Sequence, residues 1–189
     1  LICHHGMFWT PPTPLTGSHF EKVKLCMDSN LSIYGAHLPL DCHPEIGNNV
    51  ILANKLGLEP CGSFLPFEGI DVGLLTTSSY DREELNERLN DLFPLGFHAM
   101  EFGMGKLEKL AILTGSGQSA VDKILNSGAD TLITGELKQH HFNVAQELEL
   151  NLYACGHYAT EKFGVDALAR ETSLKFDLPY EFVETDCPL

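Results

Sequence analysis

The sequence predicts an α/β fold, and three features carry that prediction. Short apolar runs of strand length alternate with longer stretches whose apolar residues recur at helical spacing. Two Ser/Asp-to-Glu signatures and several glycines mark where helices begin and end. Of the 189 residues, 43% are hydrophobic and 20% charged, which calls for a buried core and argues against disorder.

The elements follow in order. Leu1-Ile2-Cys3 reads as the tail of a strand whose beginning is absent, so an N-terminal portion is expected to precede it. Ser18-His19-Phe20-Glu21 reads as a capping box, with Phe20, Val23 and Cys26 behind it at helical spacing and Asn30 closing the helix in the left-handed region. Residues 31–37 read as a strand. Asn48 is expected to cap a helix that turns Val50, Ile51 and Leu56 inward and stops at Gly57. The stretch 58–70, with Pro60, Gly62, Pro66 and Gly69, reads as a linker and the clearest internal break. A strand is expected over 71–77. A second capping box follows at Asp81-Arg82-Glu83-Glu84, backed by Leu85, Leu89 and Leu92. Further strands are expected over 97–102, 109–115, 130–135, 151–156 and 180–185, and helices over 118–128, 136–148 and from about Ala159. The alternation favours largely parallel sheets, and a strand-helix echo between the two halves suggests two similar lobes. The division expected is residues 1–60 with 160–189 as one α/β lobe and 61–159 as the other.

Twelve basic against twenty-six acidic residues give a net charge of -14. That field repels nucleic acid and anionic membranes, and no basic cluster offsets it. No apolar run reaches membrane-spanning length, and no signal-peptide layout is present. The six cysteines show no CxxC spacing, which points to reduced thiols in a cytoplasmic protein.

Open α/β sheets place their sites at the carboxyl ends of strands. Three such ends carry ligand chemistry: Cys3-His4-His5-Gly6; the segment 35–49, with His37, Asp41 and His43; and the segment 154–164, with His157 and Glu161. His157 and Glu161 are four residues apart, so one helical turn aligns them. Neighbours on a regular strand point to opposite faces, so His4 and His5 serve one cleft only if the strand breaks into a loop at Gly6. Three imidazoles and two carboxylates (His4, His5, Asp41, His157, Glu161) suit two divalent ions held roughly 3.5–4 Å apart, with Glu161 as the bridge. Nitrogen and oxygen donors suit Zn, Mn, Fe, Co or Ni without selecting among them. Cys3, Cys42 and Cys155 beside these ligands are read as packing residues, and His19, His98 and the pair His140-His141 as packed or solvated. The turn Gly115-Ser116-Gly117 joins a strand to a helix and is a candidate anion or substrate site, as is Thr134-Gly135-Glu136.

The segments HHGMFW, HLPLDCHPEIGNN, GSGQS, GADTLITGE and GHYATEKFGVDAL resemble, in order and spacing, the GTP cyclohydrolase 1 type 2 homologue family, also called the interacting-factor-3-like family. The resemblance covers essentially the whole chain. It implies two similar interlinked α/β lobes of layered sheets and helices, with the metal site at their junction. It assigns His4, His5, Asp41, His157 and Glu161 as ligands of two metal ions, with Glu161 touching both, and His37 as a site-lining residue that is not a ligand; in a hydrolase, His37 is the group expected to shuttle a proton. It further implies a toroidal hexamer of dimers inside the cell. Taken at its name, the family implies a hydrolase in which metal-activated water opens the guanine imidazole ring of GTP and formate leaves. The alternatives are a non-enzymatic metal-binding or adaptor protein and a ring that associates with nucleic acid, the latter disfavoured by charge. A small-molecule substrate, possibly a nucleotide, is the expected partner.

Overall fold

The computed structural model describes residues 1–185 and 187. They form two compact units, Leu1–His37 and Leu38–Leu189.

The first unit pairs β1 (Ile2–Cys3) in parallel with β2 (Tyr34–Gly35), and α1 (Gly17–Asp28) lies between them in sequence. The helix starts earlier than the Ser18 capping box predicts. Thr16 is the extended N-cap residue and Ser18 is already inside the helix, because the turn Thr16 N–H to Pro14 C=O sets the entry two residues earlier. Asn30 is left-handed at φ 50° and ends the helix, as expected. The strand expected over 31–37 is only two residues long.

The second unit opens with α2 (Leu38–Asp41) and α3 (Asn48–Leu56), then β3 (Glu59–Phe67) and β4 (Ile70–Thr77). After these come α4 (Arg82–Leu92), β5 (His98–Glu101), β6 (Lys109–Ser116) and α5 (Gln118–Val121). A short 3-10 turn (Ile124–Ser127), β7 (Thr131–Glu136), α6 (His141–Glu147), β8 (Asn151–Ala154) and α7 (His157–Phe176) complete it. The sheet order is β3-β4-β6-β7-β8-β5, parallel only where β7 joins β6 and β8. The chain is therefore mixed α/β rather than largely parallel.

The stretch expected as a linker is instead most of the antiparallel β3–β4 hairpin. Proline lacks an amide donor, yet Pro60 and Pro66 are tolerated because β3 is the sheet edge, and the ladder shifts between Pro60 and Gly62. Gly73 on β4 is needed there, since a Cβ would lie 2.2 Å from the Phe64 ring.

The central strands are buried on both faces, so they read as unbroken apolar runs. Alternate side chains feed two cores. Ala111, Leu113 and Leu132 pack with Val121, Ile124 and Ala145 on one face. Leu110, Ile112, Ile133 and Tyr153 pack with Leu52, Leu56, Leu85 and Leu89 on the other. The helices of α3 and α4 belong to that second face, and α7 packs on α3, β6 and β7. Asp81 caps α4 as predicted, with both arms of the box formed. Asn48 begins α3 but does not cap it; Gly47 holds that position, and Gly57 at φ 70° ends the helix.

Other helices are shorter than their periodicity suggests. The segment 118–128 splits into α5 and the 3-10 turn. The helix expected from residue 136 starts at His141, because Glu136 still pairs with Ser116 in the sheet and His141 Nδ1 accepts the Lys138 amide at 3.0 Å. No strand forms over 180–185: the Thr185 amide bonds the Tyr158 hydroxyl at 3.0 Å and Glu184 pairs with Lys162, so this segment follows α7 rather than a sheet edge. No helix of the described residues is long and apolar enough to cross a membrane.

Candidate metal centre

In the first unit, both strands deliver histidines at their carboxyl ends. The Tyr34 amide bonds Leu1 C=O at 2.8 Å and the Ala36 amide bonds Cys3 C=O at 2.9 Å, so the two strands end in register. Their backbones then converge: a Cβ on Gly35 would lie 2.9 Å from Gly6 Cα. Only glycine admits this approach, and it brings His37 beside His4 and His5. Ring centroids are 5.0 Å apart for His4–His5, 5.0 Å for His4–His37 and 4.9 Å for His5–His37. Ring nitrogens of all three lie within 4.8 Å of one another. The loop condition at Gly6 is met: beyond Cys3 the strand ends, and the Trp9 amide turns back to Gly6 C=O at 3.0 Å. That turn stacks the indole on His5 at 5.0 Å and sets it 4.0 Å from His37. His37 was expected to line the site, and the geometry also offers it as a third nitrogen donor.

In the second unit, the carboxylates are buried and held by named donors. Asp41, at the end of α2, is 5% exposed. Its Oδ1 accepts from Asn48 Nδ2 at 2.8 Å and from Thr114 Oγ1 at 3.3 Å. Asn48 Oδ1 in turn takes the Gly164 amide at 2.6 Å, tying α3 to the middle of α7. Asn49 accepts the Thr114 amide at 2.9 Å and donates to Val72 C=O at 2.9 Å, tying α3 to β6 and β4.

His157 is the first residue of α7, and Glu161 lies one turn on, with Nε2 to Oε2 at 3.0 Å. Glu161 is 8% exposed. On the other edge of the ring, His157 Nδ1 is 3.5 Å from Glu136 Oε1 at the end of β7. The carboxylate of Glu161 holds the imidazolium above the ordinary histidine range, against the opposing pull of burial.

Glycines make room for this helix end. Gly115 has φ +68°, and a Cβ there would lie 1.9 Å from Glu161 Oε1 and 3.1 Å from His157 Nε2. A Cβ on Gly135 would lie 2.7 Å from Thr160 Oγ1 and 2.8 Å from His157 Cα. The amides of the Gly115–Gly117 turn, expected to meet a substrate, are largely engaged inside the fold. Gly115 N–H donates to Thr160 Oγ1 at 3.0 Å and Gly117 N–H to Glu136 C=O at 3.2 Å, while Ser116 is exposed.

With this geometry in place, comparison with known proteins becomes informative. The family model described as Duf34/NIF3 (NGG1p interacting factor 3) matches residues 1–188. The chain belongs to the Duf34/NIF3 family. It is 35% identical over 187 residues to a GTP cyclohydrolase 1 type 2 homolog of Deinococcus radiodurans, covering 97% of this chain and 70% of that protein. A GTP cyclohydrolase 1 type 2 homolog of Pyrococcus abyssi is 34% identical, with 98% and 75% covered. Among solved structures, protein ybgI, described as of unknown function, superposes with a TM-score of 0.90 at 32% identity, over 100% of this chain and 76% of that one. TTHA1606 from Thermus thermophilus gives 0.83 at 34% identity, with 100% and 75% covered.

For a Duf34/NIF3 chain, the donor set suits divalent transition ions. Imidazole nitrogens cluster in one unit, and the other presents an imidazole with two buried carboxylates whose positions are fixed by hydrogen bonds. Sequence reading missed the residues that hold these groups in place. Asn48 was read as a helix cap and Asn49 was passed over, although two adjacent asparagines entering a buried helix are a polar surplus that calls for partners. Thr114 and Thr160 gave no signal at all, because a threonine at a strand end or in a first helical turn has many uses.

Proposed function

We propose that this chain is a metal-dependent hydrolase in which His4, His5, Asp41, His157 and Glu161 hold two divalent cations, with Glu161 shared between them. The observation that carries the reading is the convergence of three imidazoles where two paired strands end, at centroid separations of 4.9–5.0 Å. The glycine-only backbone approach gathers them: His4 and His5 supply nitrogen donors, and His37 lines the site beside them. The family supports it, since relatives at 34–35% identity carry the name GTP cyclohydrolase 1 type 2 homolog. When bound, such a pair of cations supplies Lewis acidity, making water acidic enough to ionise near neutral pH and polarising an electrophile beside it.

The chain's own residues do the rest. Asn48 and Thr114 fix Asp41, and the helical turn fixes Glu161 against His157. Glu136 beside Nδ1 orients the His157 ring and leaves Nε2 for ligation. His37, against Trp9, is the group placed to move a proton. The reaction implied by the family's name is hydrolytic opening of a purine imidazole ring. A cytoplasmic location and assembly into a toroidal hexamer belong to the same reading, and sedimentation of the purified protein tests the assembly.

The deciding experiment is elemental analysis of protein purified without chelator, followed by a substrate panel that begins with GTP. About two ions per chain are expected, as a dinuclear hydrolase requires. Asp41→Ala and Glu161→Ala should abolish whatever turnover the panel finds. Near-zero metal, or full activity in both variants, would overturn the reading; tight metal binding without turnover on any substrate would make the protein a metal-binding module.

A further inference from the structure

The second unit contains a cavity of about 590 Å³ at the end of the sheet where β7 and β8 meet the first turn of α7. Its volume is that of a site for a compact organic molecule. His157 forms part of its wall, and so does Glu136, whose carboxylate lies 3.5 Å from His157 Nδ1. The cavity thus opens onto the edge of His157 that faces away from Glu161.

The lining has a definite chemistry. Its body is aromatic and aliphatic, with Phe97, Leu137 and Tyr158 among the walls and Leu95, highly exposed, at the rim. Among the described lining residues the charged groups are two carboxylates, Glu136 and Glu184, and one ammonium, Lys162, beside the imidazoles of His98 and His157. Lys162 is already paired with Glu184, and its Nζ lies 5.8 Å from the centre of the Tyr158 ring. Among the described lining residues there is no arginine. The nearby glycine turn offers no substitute cradle, since the Gly115 and Gly117 amides bond Thr160 and Glu136. A triphosphate entering here would meet, among the described lining residues, carboxylates and apolar walls with no unengaged lysine or arginine, in a chain of net charge -14.

We infer that this cavity binds a heteroaromatic ring that bears N–H donors and no phosphate, with Glu136 accepting from the ring's N–H edge. Where the metal reading holds, the cavity borders that centre through His157, and the molecule it takes is a free base or nucleoside rather than a nucleoside triphosphate. The cavity's chemistry stands on the second unit alone, so ligand binding and metal content are read separately.

The test is isothermal titration of guanosine and of GTP into the full chain, both as purified and after chelator treatment, with metal content measured in parallel. In the chelator-treated protein, guanosine should bind at least about ten-fold more tightly than GTP, the cost of placing phosphates beside carboxylates whose cationic partners are already engaged. Glu136→Gln should weaken guanosine about ten-fold, because a charge-assisted acceptor is replaced by a neutral one. Leu95→Arg, at an exposed rim position that tolerates substitution, should narrow the gap by favouring GTP. GTP binding as tightly as guanosine, guanosine indifferent to Glu136→Gln, or no guanosine binding would each overturn the inference. A metal content near zero with guanosine binding intact would sink the hydrolase reading and leave the pocket standing.

Discussion

Gly115 is where one hydrogen atom decides the geometry of the candidate centre. Its left-handed backbone and the 1.9 Å approach of a would-be Cβ to Glu161 Oε1 are separate demands, and glycine alone meets both. Gly115→Ala should cost about 1–2 kcal/mol through the left-handed backbone. It should also displace the Glu161 carboxylate, so that metal content falls well below half of the wild-type value in protein that is still folded. Gly105→Ala is the control, because a Cβ there meets nothing within 4 Å. Elemental analysis beside urea denaturation separates the two effects, and wild-type metal content in Gly115→Ala would contradict the account. His157 adds a dependence on pH. Glu161 raises its pKa above the usual value, so the metal-free protein holds a proton there to higher pH than an isolated histidine would. Cations must displace that proton, so apparent metal affinity should rise with pH through the region above about 6.5 and fall about ten-fold per unit below it for each proton displaced. Chelator competition at mildly acidic and mildly alkaline pH measures this, and a flat profile would exclude His157 as a ligand.

The elements show why some of this was legible and some was not. The capping box at Asp81 and the left-handed stop at Gly57 depend on residues adjacent in sequence, and both formed as read. The hairpin over 59–77 was misjudged because proline and glycine signal a break unless the strand is known to be an edge, which is a tertiary fact. The helix from residue 136 was overextended for a similar reason, since Glu136 is held by Ser116 on a neighbouring strand. Asn48 illustrates the same limit: its sequence position suggested a cap, and its side chain instead joins Asp41 to Gly164, 116 residues further on. Asn48→Ala would remove the side-chain acceptor that ties the Gly164 amide to α3 and one donor to the buried Asp41 carboxylate. The expected destabilisation is about 1.5–3 kcal/mol, the cost of a lost hydrogen bond to a buried charged group. It is measured as a lowered urea midpoint with unchanged slope. A shift below about 0.5 kcal/mol, the range of ordinary surface changes, would show that Asn48 is not the joint between α3 and α7.

At the scale of the whole molecule, the field set by twelve basic and twenty-six acidic residues limits what the chain binds. A set of imidazoles and carboxylates attracts cations, and the acidic balance strengthens the attraction over a range of about one Debye length, roughly 10 Å at 0.1 M salt. The same balance repels polyanions, so a role on nucleic acid would require a local basic face strong enough to reverse the sign. The twelve basic residues are not clustered for this: Lys24 pairs with Asp28, Lys106 with Glu108, Lys162 with Glu184 and Arg170 with Asp166. A fluorescein-labelled single-stranded oligonucleotide should therefore show no rise in anisotropy at about 0.1 M salt. Lowering the salt should make association less favourable still, because screening of the repulsion is lost, whereas a basic protein gains affinity steeply as counterions become cheaper to release. The sign of the salt dependence is thus the informative quantity. A rise in anisotropy that grew as salt was removed would mean that a positive surface outweighs the net charge, and the nucleic-acid reading would displace the small-molecule one.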